Sequence, residues 1–201
     1  YRIGSVDVQS NIRDVDGATL RGAVKTQPGA VYNVELVDKS LEDITLEVAR
    51  RGYAFAAVRP RGERDAATQT VNLVYVVEEG PRVYVERINV RGNTRTQDRV
   101  IRREFDMAEG DAYNRVLVDR AERRLKNLGF FKEVKITTEP GSAADRVIVN
   151  VEVQDQPTGA FSIAGGYSTA DGFIAEASVE ERNFLGRGQF VRLGGMFGQR
   201  S

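Results

Sequence analysis

The sequence of 201 residues contains no cysteine and no histidine. Without cysteine, the chain has no disulfide, no thiolate nucleophile and no thiolate metal site, although this absence fits an oxidising and a reducing compartment equally well. Without histidine, the chain lacks the commonest general base and the commonest side-chain ligand of metals. These two absences disfavour an enzyme or a metalloprotein.

An excess of charge is also missing, since 29 Lys and Arg residues are balanced by 29 Asp and Glu residues. A nucleic-acid partner normally leaves a basic excess, so we predict none. No run of 18 apolar residues is present, which argues against a membrane-spanning helix. Tyr1 begins directly in an alternating strand pattern without Met or an apolar signal segment. We therefore expect a piece of a longer protein, or a mature or trimmed chain.

Acidic clusters are the only patterns that suggest chemistry, and each has a simpler interpretation. Glu78 and Glu79 lie in a linker pattern and Glu180 and Glu181 in a strand pattern, where neighbouring side chains point in different directions. The run from Asp14 to Gly17 is similar to the start of a calcium loop, but the later ligands are missing. A phosphate-binding glycine loop and a Ser/His/Asp set are missing too. We predict no cofactor, no metal and no catalytic residue.

The first 80 residues begin with a strand pattern followed by two helix patterns. Residues 1–9 alternate as a strand, and residues 14–17 offer an N-cap for a short helix. A longer helix is predicted from about Asn33, and Gly52 stands where a C-cap glycine belongs.

Two further strand patterns complete this unit. We predict a strand at Tyr53–Arg59 that Pro60 ends, and a second strand at Val71–Val77. Residues 61–69 between them are predicted to form a polar loop. The order of elements is therefore β-α-α-β-β.

The same order returns in the following residues. Thr96 is predicted to cap a short helix, and Asn114 to cap a second helix that Gly129 closes. The predicted strands are Val83–Arg91, Phe130–Thr138 and Val147–Val153. Corresponding positions of the two copies are Val8 and Val90, Gly29 and Gly110, Gly52 and Gly129, and Val71 and Val147. Two units in tandem, each a small sheet covered by two helices, predict an α+β repeat protein with domains at residues 1–80 and 81–156.

Residues 161–188 show a different pattern, in which apolar and polar or small residues alternate around a turn at Asp171 and Gly172. Asp-Gly between two alternating runs predicts a hairpin, because both turn positions favour positive φ. A half-apolar hairpin with a charged opposite face is typical of membrane β-barrels. An ordinary surface hairpin of a soluble β domain would look the same at this level.

Short motifs give the sequence a family resemblance. The β-α-α-β-β repeat, with Arg91-Gly92-Asn93 after a strand and Leu-Gly-Phe-Phe at residues 128–131, resembles a POTRA domain. Gly-Tyr-Ser-Thr at residues 166–169 and Glu-Arg-Asn-Phe-Leu-Gly-Arg-Gly at 181–188 resemble the first strands of the outer-membrane barrel that follows the last POTRA domain. The resemblance implies two tandem POTRA domains followed, at residues 157–201, by an incomplete transmembrane β-barrel segment, since a barrel needs about eight strands to close.

The resemblance implies a non-enzymatic scaffold of outer-membrane protein assembly, with its POTRA domains in the periplasm and its full-length barrel in the outer membrane. Its expected partners are unfolded outer-membrane proteins and BamD-like accessory lipoproteins. Clients would add a strand to the edge that follows the second helix of each domain. An ordinary solvated edge is the alternative, because Pro60, Lys132 and Lys135 would protect it. The expected edge residues are Tyr53, Ala54, Phe55, Ala56, Ala57, Val58, Phe130, Phe131, Lys132, Glu133 and Val134.

Two further sets of residues follow from the same resemblance. Arg102 and Glu109 correspond to a segment that docks the lipoprotein, although a solvated helix face explains their charge as well. The first barrel strand would lie at the seam of the barrel, with Gly165, Gly166 and Tyr167 there, and its two glycines would weaken closure. For Phe130 and Phe131 we expect one ring in the core.

Two other functional classes fit parts of the pattern. A translocation or secretion pore of the same superfamily, TamA-like or of the two-partner secretion type, would show the same repeat. A KH-type RNA-binding module also contains β-α-α-β, but no two glycines in residues 1–155 stand three apart as its GxxG loop requires. With zero net charge as well, the RNA-binding interpretation is rejected.

Overall fold

The computed structural model describes residues 1–198 as three small sheets and three α-helices. The strands are β1 Arg2–Ser10, β2 Ala56–Asp65, β3 Thr70–Glu79, β4 Tyr84–Arg91, β5 Phe131–Pro140, β6 Arg146–Asp155, β7 Gly159–Ser168, β8 Gly172–Phe184 and β9 Gln189–Gly198. The α-helices are α1 Val34–Arg50, α2 Asp98–Arg102 and α3 Arg115–Asn127, and a 3₁₀ helix spans Gly17–Ala23. The predicted α+β class and the β-α-α-β-β order of both repeats are confirmed, and the first helix of the first repeat is a 3₁₀ helix.

The strand orders are β1-β3-β2, β4-β6-β5 and β7-β8-β9. In the first sheet, β1 runs parallel to β3 and β2 runs antiparallel to it. In the third sheet, both pairs are antiparallel. No helix in residues 1–198 is long and apolar enough to cross a membrane.

The chain divides into two compact units that interleave along the sequence. The first unit comprises Tyr1–Ile88, Asp106–Ala121 and Thr138–Val149. The second unit comprises Asn89–Phe105, Glu122–Thr137 and Asn150–Ser201.

The core of the first repeat lies between one face of its sheet and the apolar stripe of α1. Asn33 caps this helix, as predicted, by accepting a hydrogen bond from the Glu35 amide at 2.9 Å. Tyr75 is fully buried, and its hydroxyl shares a 2.9 Å hydrogen bond with the buried Thr26. The cluster consists of Ile3, Val6, Val8, Ile12, Val15, Leu20, Val37, Ile44, Val48, Ala56, Val58, Val71, Leu73, Tyr75 and Val77.

The position of β2 corrects two predictions. Tyr53, Ala54 and Phe55 lie in a turn before the strand, and the strand continues through Pro60 to Asp65 instead of ending there. Because β2 pairs with β3 alone, proline is tolerated wherever its missing N–H would have pointed away from β3. The predicted polar loop is thus reduced to residues 66–69.

The second repeat confirms one predicted cap and contradicts another. Asn114 caps α3 by accepting a hydrogen bond from the Val116 amide at 3.1 Å. Thr96 does not cap α2, because Gln97 precedes that helix and makes no side-chain cap. Phe130 and Phe131 are both buried, although we expected only one ring in the core. Phe130 also lies just before β5 rather than within it.

The hairpin between β7 and β8 differs in detail from the two-residue turn that we predicted. Ser168 pairs with Gly172, so residues 169–171 form a three-residue connection. Of the two predicted turn residues, Gly172 alone has a positive φ, 76°. The left-handed residue therefore follows the connection, as the first residue of β8.

A glycine-rich corner at residues 183–188 joins β8 to β9 and packs on the loop before α2. The Thr96 hydroxyl donates to the Asp155 carboxylate at 2.7 Å and accepts from the side-chain amide of Asn183 at 2.8 Å. The side-chain oxygen of Asn183 in turn accepts from the Gly188 backbone amide at 2.7 Å. Thr96 and Asn183 are both buried, so this polar network is sheltered from water.

Gly186 allows the corner to approach the loop at backbone distance. Its carbonyl accepts a 2.9 Å hydrogen bond from the Gln97 amide. A Cβ at this position would lie 1.9 Å from the Arg95 carbonyl oxygen, so no other residue fits without a backbone shift. Thr96 therefore serves the corner and not the helix, which explains why its predicted cap is absent.

We predict that Thr96→Val destabilises the protein by about 1–3 kcal/mol, because the buried Asn183 amide loses its acceptor. The effect is measured by urea denaturation, with amide exchange at Gln97 and Gly188 as local readouts. Thr94→Val is the matched control, since the exposed Thr94 hydroxyl donates to the same Asp155 carboxylate over a longer distance, 3.4 Å. We expect the control to cost less than about 0.5 kcal/mol. Equal losses in the two variants would contradict a structural role for the buried network.

Candidate functional site

The outer edge of β1 is covered by its own repeat. The Ile3 amide donates to the Ala30 carbonyl at 2.8 Å, and the Gly29 amide donates to the Ile3 carbonyl at 2.7 Å. Further along the strand, the Arg21 guanidinium donates to the Val6 carbonyl at 2.8 Å. These bonds use the backbone groups with which another strand would pair.

The outer edge of β4 is covered in the same way by the equivalent segment of the second repeat. The Val85 amide donates to the Asp111 carbonyl at 2.8 Å, and the Gly110 amide donates to the Val85 carbonyl at 2.6 Å. A side chain again completes the cover, because the Glu109 carboxylate accepts from the Ile88 amide at 3.1 Å. Both repeats thus close the edge of their first strand with the segment between their helices.

The opposite edges of the two sheets are β2 and β5, the strands predicted to receive a client. Ala56, Ala57 and Val58 lie on β2, whereas the first three predicted residues of this set precede it. Four of the five residues predicted for the second repeat lie on β5, at Phe131–Val134.

Side chains differ along the edge strand β2. Ala56 and Val58 are buried, whereas every residue from Arg59 to Asp65 is exposed. The strand therefore enters the core at one end and reaches into solvent at the other. At the solvent end, the Asp65 carboxylate accepts hydrogen bonds from the Thr68 side chain and from the backbone amides of Ala67 and Thr68. These hydrogen bonds lower the pKa of Asp65 and stabilise the turn to β3.

The third sheet presents one exposed apolar face. Directly opposed residues share a face of a sheet, and Tyr167 opposes Phe173 with their rings 5.2 Å apart. The large side chains on this face are between 51% and 72% exposed: Phe161, Ile163, Tyr167, Phe173, Val179, Leu193 and Phe197. The other face is more polar and carries Ser162 and Ser178, which share a hydrogen bond, although the exposed Met196 also lies on it. An uncovered apolar face of this size indicates contact with another surface.

Gly165 and Gly166 lie within β7, on the edge of the third sheet. A Cβ at Gly166 would meet no atom within 4 Å, and one at Gly165 would lie 3.9 Å from the Ile174 carbonyl. Steric exclusion inside the chain therefore does not explain these two glycines.

The two residues predicted to dock a lipoprotein lie on the surface. Arg102 is the last residue of α2 and is exposed. Glu109 is exposed as well, although one of its oxygens holds the β4 edge. Within residues 1–198, no group of acidic side chains is arranged to hold a metal ion.

Sequence reasoning missed the contacts that close the strand edges. Arg21 reaches Val6 across 15 residues and Glu109 reaches Ile88 across 21. The two side chains differ in type, so the repeat pattern does not identify them. The paired glycines Gly29 and Gly110 were the available signal, since each lies in the covering segment.

A family model and several relatives match this chain. The family model, described as POTRA, surface antigen variable number repeat, matches residues 1–80 and 83–156. The chain is 36% identical over 186 residues to the outer membrane protein assembly factor BamA of Neorickettsia risticii, covering 92% of this chain and 25% of that protein. It is 31% identical over 204 residues to the BamA of Nitratidesulfovibrio vulgaris, covering 98% and 25%. The chain thus spans about a quarter of the length of these relatives.

A solved structure supports the same relationship. The crystal structure of BamA from Haemophilus ducreyi lacking POTRA domains 1–3 superposes with a TM-score of 0.59 at 25% identity, covering 98% of this chain and 37% of that one. Because the family model covers most of the sequence and both repeats show the β-α-α-β-β order, the chain belongs to the POTRA family and is similar to BamA.

Proposed function

We propose that this chain is part of a non-enzymatic scaffold for the assembly of outer-membrane proteins. Its two POTRA repeats receive unfolded client segments as added strands on β2 and β5. The observation that carries this proposal is an asymmetry of each sheet: the segment between the helices bonds to the edge of the first strand, and no segment of residues 1–198 bonds along the length of the opposite edge strand. Main-chain pairing at a sheet edge needs neither ATP nor a cofactor.

The relatives support the biological setting. Several are named outer membrane protein assembly factors, and the match extends over more than nine-tenths of this chain. We infer a periplasmic position for the POTRA repeats and an outer-membrane position for the complete protein. Its partners in that setting are unfolded outer-membrane proteins and accessory lipoproteins of the BamD type.

The third sheet fits a membrane role. Its exposed apolar face is suited to lipid and its more polar opposite face to a barrel interior, as expected for the first strands of a transmembrane barrel. In the full-length protein, β7 would form one side of the seam, where Gly165 and Gly166 add no side-chain packing.

Arg102 and Glu109 are each a candidate for contact with the lipoprotein. Both side chains are exposed. Glu109 also fixes the β4 edge through Ile88, so a partner that binds it meets a carboxylate held in position.

Strand addition can be mapped with a peptide that copies β8, residues 172–182 of this chain, an alternating segment of the kind a client presents. In amide NMR of the 201-residue chain in a non-ionic detergent, we expect the peptide to perturb the amide signals of β2 from Val58 to Asp65, apart from Pro60, and those of β5 from Phe131 to Glu139. Amides of β1 and β4 should stay unchanged, because their edges are covered. The control peptide carries proline at positions 175, 176, 177 and 178, so it loses two N–H donors whichever of its sides faces the edge.

The same spectra show when this proposal fails. Binding at the edges of the third sheet alone, or equal perturbation by the proline peptide, would contradict client reception by the POTRA repeats.

The seam can be tested in the full-length protein. We expect Gly165→Val with Gly166→Val to reduce client assembly, because the added side chains strengthen the packing of β7 while fitting the space around it. Gly194→Val on β9 is the control, since its Cβ would lie 3.8 Å from its nearest neighbour. Assembly is measured as the folded fraction of a client barrel. Unchanged assembly in the double variant would remove any special role for the two glycines.

A further inference from the structure

The direction of each backbone group on β2 follows from its pairing with β3. Pairing runs without a shift from Ala56 opposite Glu79 to Asp65 opposite Thr70. Just before the strand, the Gly80 amide donates to the Phe55 carbonyl at 3.0 Å, so Phe55 points its backbone carbonyl at β3. Backbone groups alternate in direction along an antiparallel strand. The outward-facing residues are therefore Ala56, Val58, Pro60, Gly62 and Arg64.

The first outward position, Ala56, is already occupied. Its amide donates to the Tyr53 carbonyl at 3.2 Å. Its carbonyl accepts from the Asn114 side-chain amide, also at 3.2 Å, and Asn114 is buried. An incoming strand therefore finds no main-chain partner at this end of β2.

Pro60 interrupts the row of outward donors, because proline has no N–H. Its carbonyl still faces outward. Val58, Gly62 and Arg64 each direct an amide and a carbonyl away from β3, and within residues 1–198 these groups have no intramolecular partner. The receptive part of the edge thus runs from Val58 to Arg64 with one missing donor.

We propose that Asn114 is a stop that fixes the register of strand addition on β2. An added client strand pairs with Val58–Arg64 and ends against the Asn114 side chain. The partner is an extended outer-membrane-type segment, so this proposal rests on the function proposed above. Beyond that function, it identifies the residues of β2 that pair with the client and names Asn114, in the second repeat, as the residue at which pairing stops.

Asn114 has two separable functions. Its side-chain oxygen caps α3 through Val116, and its side-chain nitrogen blocks Ala56. Asn114→Ser keeps a capping oxygen but cannot reach Ala56. Asn33→Ser is the matched control, because Asn33 caps α1 in the same way through Glu35 and lies on the other helix.

The experiment measures binding of the isotope-labelled β8 peptide, residues 172–182, to the 201-residue chain by amide hydrogen exchange on both molecules. In the wild type, we expect the peptide to protect the amides of Val58, Gly62 and Arg64. In Asn114→Ser, one further peptide amide becomes protected, by the Ala56 carbonyl, and binding at β2 tightens roughly two- to tenfold, the value of one hydrogen bond. In Asn114→Ser, binding at β5 stays at the wild-type level. In Asn33→Ser, binding at β2 also stays at the wild-type level.

A second variant tests the effect of the N–H donor that is missing at Pro60. Pro60→Thr restores an outward N–H, and we expect the amide at position 60 to join the protected set, again with roughly two- to tenfold tighter binding.

The outcomes separate the two proposals. Absence of protection on both β2 and β5 overturns the proposed function and this inference with it. Protection on β5 without β2 leaves client reception standing and overturns the register stop. Protection of β2 that is the same in Asn114→Ser and Asn33→Ser also overturns the stop, because the Ala56 carbonyl would then make no difference.

Discussion

The structure depends on how unpaired backbone groups at sheet edges are satisfied. A sheet of three strands has two edges, and each exposes a row of amides and carbonyls. In both repeats, the segment between the helices bonds to the edge of the first strand, through Ile3 in one copy and Val85 in the other. A side chain contributes to each cover, Arg21 in the first copy and Glu109 in the second. The opposite edge, β2 in one repeat and β5 in the other, is the side on which each sheet can be extended by a further strand.

The glycine-rich corner applies the same principle to a different problem. A tight connection between β8 and β9 leaves polar groups that must find partners, and they find them on the loop before α2. Thr96 and Asn183 form the buried centre of this network, with Asp155 as its charged end. Because Gly186 has no side chain, the two backbones approach closely enough for the Gln97 amide to reach it. The corner is thus a structural feature of the second compact unit, and its motif is explained by packing.

Local signals in the sequence predicted much of this fold, and long-range partners account for what they missed. Asn33 and Asn114 were identified as caps because capping depends on residues two positions away. Thr96 was misassigned because its hydroxyl bonds to Asp155, 59 residues away, and such a partner leaves no local trace. The strand β2 was predicted to end too early, because proline ends a strand only where its N–H is needed for pairing. The strand order decides that point, and it is set by contacts between distant segments.

The exposure of β2 has a consequence for selectivity. From Arg59 to Asp65, the side chains on both faces of this strand are in solvent, so a neighbour added beside them would gain few side-chain contacts. Main-chain hydrogen bonds are the same for every amino-acid sequence, and a few of them at about 1 kcal/mol each give only weak binding. If clients add to this edge as proposed, it would discriminate little between polypeptides and would release each of them quickly. A surface that must pass many unrelated chains onward gains from both properties.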